Sequence, residues 1–357
     1  MSTPRRVRVL ENWSAALGRR RPVQAVVFGL LVSLGCFAVL LRQVDLRQSL
    51  AALTHLNGPF LLIPIAVFCF NLPLRAWRWK IIFPASVRPS FSSCLTALGI
   101  GNMANFVLPA RAGDVARCVL VTPDGALNEG SRALATLAVE KVLDGLALIA
   151  LVLFSIWALR PPRWVLELTE VATLIFGIAL VAMIALRSRM GSFIEYARQR
   201  FPSQEVSPLR QKVEVFLISF AEGLGAFRAT RELPFILTLT AAIWMSEAGS
   251  IWGLAHVLSI PIDMKSAVIA SALLGLGLMI PAAPAGLGTY ELFGTEAFKL
   301  CGVAAAGALA LTAVIHAWVF IANIVAGVLL LGLKGIGLAQ LRTPLGGDAA
   351  NVKVQRI

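Results

Sequence analysis

Charge is what this chain has least of. Asp, Glu, Lys and Arg make up 14% of its 357 residues, against 58% hydrophobic. Residues 48–74, 89–110, 266–290 and 300–333 contain none of the four. A soluble domain does not repeat such runs, whereas a helix crossing a bilayer needs about 20 consecutive apolar residues. The longest polar stretch runs only from about residue 187 to 232, so no soluble domain is expected. Cysteine chemistry is also missing. Cys36, Cys69, Cys94, Cys118 and Cys301 are scattered with no Cys-x-x-Cys, and read as small apolar fillers. The three histidines, His55, His256 and His316, have no metal-ligand spacing, and His316 reads as a packing residue. No nucleophile elbow or cofactor motif is present, so neither a metal, a cofactor nor a catalytic residue is expected.

Acidic residues number 19 against 32 basic, a formal net charge of +13. No RNA- or DNA-binding motif accompanies that excess, and a nucleic-acid partner is not expected. The positive-inside rule accounts for the charge instead. Residues 1–21 are basic, with Arg5, Arg6, Arg8, Arg19, Arg20 and Arg21, and are placed against anionic phospholipid headgroups on the cytoplasmic side. The apolar run that follows is too long for a signal-peptide core and has no small-residue cleavage site, so residues 22–41 read as a retained first span. Residues 59–74 lead back in, and Arg75-Ala76-Trp77-Arg78-Trp79-Lys80 follows. Two readings of that segment stand: an interfacial anchor, or Arg75 and Arg78 facing a lipid phosphate.

Further spans are expected at 133–159, 164–186, 233–258 and 303–333, joined by a tight turn at 160–163. A basic cytoplasmic loop covers about 187–232, and its middle, 213–227, reads as an amphipathic helix lying on the surface. Placed this way, most basic residues fall inside. Arg42, Arg47, Arg160, Arg163, Lys265 and Lys299 fall outside, and Lys141 lies within the bilayer. The pattern puts both termini in the cytoplasm of a plasma-membrane protein. A polar tail occupies 334–357.

Two segments break the helical pattern in the same way. In the first, Gly99 and Gly101 precede an elbow Pro109-Ala110-Arg111-Ala112-Gly113, followed by Asp114 and Arg117, with Asn102 and Asn105 on the approach. In the second, Gly275 and Gly277 precede Pro281 and the elbow Pro284-Ala285-Gly286-Leu287-Gly288, followed by Thr289 and Glu291. Glycine and proline weaken helices, and broken backbone at membrane depth survives only where protein buries it or it lines a cavity. Residues 91–109 therefore read as a re-entrant hairpin from inside, with a plain small-residue span as the competing reading. Residues 266–300 read as its counterpart from outside. Between them, Glu140 and Asp144 lie four apart on one helix face beside Lys141. They serve either a site or a structural ion pair; Glu247 is open in the same sense. The expected fold is thus all-α: a polytopic helical membrane protein of about six full spans plus two re-entrant hairpins in an inverted-topology repeat, with residues 22–333 as the membrane domain.

The ordered motifs Pro109-x-Arg111-x-Gly113-Asp114-x-x-Arg117, Glu140-Lys141-x-x-Asp144 and Pro284-Ala285-Gly286-Leu287-Gly288-x-x-Glu291 resemble the lysylphosphatidylglycerol synthase transmembrane-region family of flippase-like membrane proteins. The likeness runs from about residue 23 to 333. Where that family has a glutamate, this chain has Asp114, and where it has an arginine, this chain has Lys141. Its best-known members carry a soluble aminoacyl-transferase domain as well; here a stand-alone member is expected. The resemblance implies translocation of lipids or lipid-linked sugars, and leaves the headgroup unselected.

The resulting expectation is a transporter of a phosphate-bearing lipid headgroup, whether phospholipid, polyprenyl phosphate or lipid-linked sugar. Arg111 and Arg117 would hold the phosphate, with Asp114, Glu140 and Asp144 orienting them, binding a cationic part or carrying a proton. A small-solute or ion-coupled transporter is the alternative. An intramembrane lipid-modifying enzyme ranks below both, because Asp144-Gly145 has no second Asp-rich motif with which to clamp a metal. Oligomeric state is left open, a homo-oligomer included.

Overall fold

The structure, a computed structural model, describes residues 58–108, 111–122, 127–158, 162–200, 208–224, 231–279 and 284–333. The basic N-terminus, the span expected at 22–41, Pro109, Pro281, residues 160 and 161 of the tight turn and the tail from 334 lie outside the described residues. Every described element is helical: α1 Leu62–Ile82, α2 Phe91–Val107, α3 Ala112–Val121, α4 Leu127–Ala158, α5 Arg163–Arg200, α6 Pro208–Gly223, α7 Leu233–Val257, α8 Met264–Met279, α9 Thr289–Leu300 and α10 Ala305–Leu333. Four segments are long and apolar enough to cross a membrane: Gly58–Ile82, Arg163–Tyr196, Leu233–Val257 and Ala305–Leu333.

Local chemistry sets several of these ends. Ser90 caps α2 by accepting the Ser93 N–H at 3.1 Å. Asp263 does the same for α8, accepting the Ser266 N–H at 2.8 Å, and that bond holds its carboxyl below the ordinary aspartate range. Asp114 sits in the first turn of α3, where a carboxylate complements the helix dipole.

Three expectations are corrected. Helix α5 runs on to Arg200, well past the predicted end at 186. Helix α6 begins five residues before the surface helix expected at 213–227 and ends four residues before that helix's expected end, and it packs along α4. Its Gly223 lets that happen: a Cβ there would come within 2.6 Å of the Arg132 carbonyl oxygen and the Ala135 Cβ. Third, the Arg75–Lys80 segment is not a uniform interfacial belt. It continues α1, whose helical turn sends Trp77 outward, 48% exposed, and buries Arg78 and Trp79 completely.

The helices pack in a reciprocal pattern. Helix α1 lies antiparallel on α7, with Gly253 against Ile63, Gly249 against Val67 and Trp77 against Phe235. Helix α2 folds back onto α3, and α8 onto α9. Each folded-back pair then leans on the helix that follows the other: α2 packs on α10 and α8 packs on α4. Lipid offers no hydrophobic drive for helix association, so close approach at small residues carries these contacts. A Cβ at Gly253 would sit 2.9 Å from Ile63 Cγ2. Gly253→Val is therefore expected to force α1 away from α7 at a cost of about 1–3 kcal/mol, read as a lowered unfolding temperature in detergent.

Candidate functional site

The first interruption is an elbow built around a left-handed residue. Helix α2 ends at Val107, and Arg111 enters α3 with φ 53°. An L-residue pays about 1–2 kcal/mol for that conformation, so something must hold it. Arg111 Nη1 donates to the Leu278 carbonyl at 3.0 Å, and its Nε lies 3.4 Å from Asp114 Oδ2. Asp114 is in turn fastened to α2: its N–H donates to Asn105 Oδ1, and Asn105 Nδ2 donates to Asp114 Oδ1, both at 3.1 Å. The second interruption repeats the device. Ala285 has φ 62°, Gly286 and Gly288 have φ 75° and 85°, and Glu291 Oε2 accepts the Gly288 N–H at 2.7 Å to start α9. Because Leu278 lies in the last turn of α8, the Arg111 bond joins the first elbow to the helix that leads into the second.

A cavity of about 460 Å³ lies where these elements meet. Its walls are mainly apolar, including Phe68, Leu274, Leu278 and Trp318. Its polar lining includes Asn71, Arg75, Asn102, Asn105, Arg111, Glu247 and Asn323, and the second elbow contributes Ala285 and Gly286. Arg75 is held from two sides, donating to Asn71 Oδ1 at 2.7 Å and to Glu247 at 2.9 Å, and it lies over the Trp244 ring. Arg75 and Arg111 against Glu247 leave the lining with one positive charge in excess.

Behind the cavity is a second, sealed group of charges. Arg78 donates to both oxygens of Asp144, at 2.6 and 3.1 Å, and to Thr240 Oγ1 at 3.1 Å. Glu140 lies between Arg117, at 3.2 Å, and Arg78, at 3.7 Å. Arg117 also covers the Trp79 ring at 4.9 Å, and Lys141 reaches Asp114 at 3.3 Å. Arg78, Arg117, Glu140 and Asp144 are each at most 5% exposed.

The structure thus sorts the expected site residues. Asn102, Asn105, Arg111 and Arg75 line the cavity. Asp114 and Lys141 stand behind Arg111. Arg78, Arg117, Glu140 and Asp144 neutralise one another in the interior, so neither Arg117 nor Arg78 presents a free guanidinium to a phosphate. Gly99 packs under Leu330 of α10, while Gly101 and Gly113 touch across the first hairpin. Glu291 turns from the cavity toward His316, whose Nδ1 lies 2.5 Å away and whose Nε2 faces the Ala285 carbonyl at 3.1 Å. Sequence reasoning took His316 for packing, and nothing near it in the chain marks a partner 25 residues back. It also left Asn71 and Glu247 unconnected to Arg75. Among the described residues, no three His, Cys, Asp or Glu side chains converge to hold a metal ion.

Residues 26–327 match the lysylphosphatidylglycerol synthase TM region family, and the chain belongs to it. It is also similar to a protein of Haloferax volcanii named glycosyltransferase AglD, with 26% identity over 356 residues, 90% of this chain and 56% of that protein. The chain thus spans little more than half the length of this relative. No solved structure matches.

Proposed function

We propose that this member of the lysylphosphatidylglycerol synthase transmembrane-region family moves a phosphate-bearing lipid headgroup across the plasma membrane. The observation that carries the reading is the cavity lined by residues of both elbows, with Arg111 of the first bonded to the last turn of α8, which leads into the second. Its size suits a headgroup; ligand pockets are typically about 300–1,000 Å³. Its excess of positive charge suits one phosphate, for which Arg111 and Arg75 supply charge-assisted donors. Acyl or prenyl tails would stay in lipid, so only the head needs shelter. Reciprocal packing of α2 on α10 and α8 on α4 supports an inverted-topology pair of re-entrant hairpins, which would expose the cavity to each side in turn. In this reading both termini are cytoplasmic.

The glycosyltransferase name of the Haloferax relative supports a second reading, in which the chain takes part in sugar transfer. One experiment separates the two. Purified protein in phospholipid vesicles is assayed for movement of labelled phospholipid and polyprenyl phosphate, for uptake of soluble solutes, and for transfer of sugar from a nucleotide donor. Lipid movement alone is expected. Arg111→Ala should slow it about tenfold, a charged hydrogen bond being worth about 1.5–3 kcal/mol. Arg111→Gly should slow it as much, although glycine relieves the backbone, because the guanidinium is what counts. Variants as fast as wild type, or sugar transfer without lipid movement, would overturn the proposal.

A further inference from the structure

The second elbow is held by two hydrogen bonds that a neutral histidine cannot both make beside an ionised Glu291. His316 of α10 is buried, with Nδ1 on Glu291 Oε1 and Nε2 on the Ala285 carbonyl oxygen. A neutral imidazole has one N–H and one lone pair, and a carbonyl oxygen can only accept. Glu291 already accepts the Gly288 N–H through its other oxygen, as a carboxylate does. With imidazole neutral and Glu291 ionised, one of the two contacts would set lone pair against lone pair. An imidazolium satisfies both.

We propose that the Glu291–His316 pair is a proton-binding site that couples transport to a proton gradient. The inference rests on the transport reading above and adds its energy source. Position supports it. Ala285, whose carbonyl takes the Nε2–H, also lines the cavity and holds φ 62°. Tyr290, stacked on the imidazole at 4.4 Å, lines it too. The titratable groups around the pair are Tyr290 from α9, Glu247 from α7, Arg75 from α1 and Arg111 from the first elbow; α8 presents none to the cavity. Intramembrane carboxylate and histidine pairs are suited to such relays.

The cycle balances in protons alone. One proton enters from water on the side to which the cavity is open and converts the pair to imidazolium and carboxylate, which clamps the elbow to α10. Its return to water on the other side leaves one N–H, retained by Glu291, and a lone pair facing the Ala285 carbonyl, which frees the elbow.

The test uses the full chain in phospholipid vesicles with 15N-labelled imidazoles. There are three histidines, so comparison with His316→Gln assigns the His316 signals. At pH 7 both of its nitrogens should be protonated in the wild type, and only one in Glu291→Gln. A transmembrane pH gradient should change the initial rate of lipid movement in the wild type, whereas in His316→Gln the ratio of rates with and without the gradient should be one. A wild-type His316 carrying a single proton at pH 7 overturns the proposal, as does a doubly protonated His316 with gradient-insensitive transport. If the wild type moves no lipid at all, the transport reading fails, while the nitrogen spectra still decide whether the proton is there.

Discussion

Arg78→Met is expected to cost about 3–5 kcal/mol of stability, the usual penalty for removing one partner of a buried ion pair. Arg78 is fully buried and holds both oxygens of Asp144. Without it, Asp144 keeps only a 3.3 Å bond from Trp244 Nε1, and Glu140 is left to Arg117. One of two buried carboxylates must then take a proton or draw in water. Unfolding of purified protein in detergent, followed by temperature or denaturant, reads the loss. Arg78→Lys should fall between, since an ammonium keeps the charge and loses the two-pronged contact. The double variant Arg78→Met/Asp144→Leu should recover much of the loss, because it removes the uncompensated charge along with its partner. A single variant as stable as wild type would mean that these charges are solvated rather than sealed.

The same cluster marks how far the sequence could be read. Glu140 and Asp144 announce themselves: two acids four apart in an apolar run must share a face and must face inward. Their partner did not, because Arg78 stands between two tryptophans and beside Lys80, a composition that fits a membrane interface equally well. The helical period held the missing signal. Asn71, Leu72, Arg75, Arg78, Trp79 and Ile82 share the face that packs inward, while Phe70 and Trp77 point out. The elbows were legible because glycine and proline act on the backbone directly and need no partner to do so. The bond from Arg111 to Leu278 and the pairing of Glu291 with His316 were not, since each depends on which helices the fold brings side by side.

Gly113→Val should be the most damaging substitution in the first hairpin, costing about 3 kcal/mol or more and reducing lipid movement at least tenfold. Helix α3 returns past α2 so closely that a Cβ on Gly113 would strike the Gly101 carbonyl oxygen and sit 2.6 Å from the Asn105 backbone nitrogen. Those are backbone atoms, which cannot step aside as a side-chain tip can. Asn105 is also the residue that fastens Asp114, so opening the hairpin breaks both of their hydrogen bonds together. Asp114 then no longer steadies Arg111, and the elbow loses its grip on the Leu278 carbonyl. Gly113→Ala should already show most of the effect, because the first added carbon makes the clash. Gly177→Ala on α5, where a Cβ would meet nothing within 4 Å, should leave stability and lipid movement unchanged. If Gly113→Ala matched that control, the two arms of the hairpin could not be in contact, and Arg111 would have no fixed place from which to reach across the cavity.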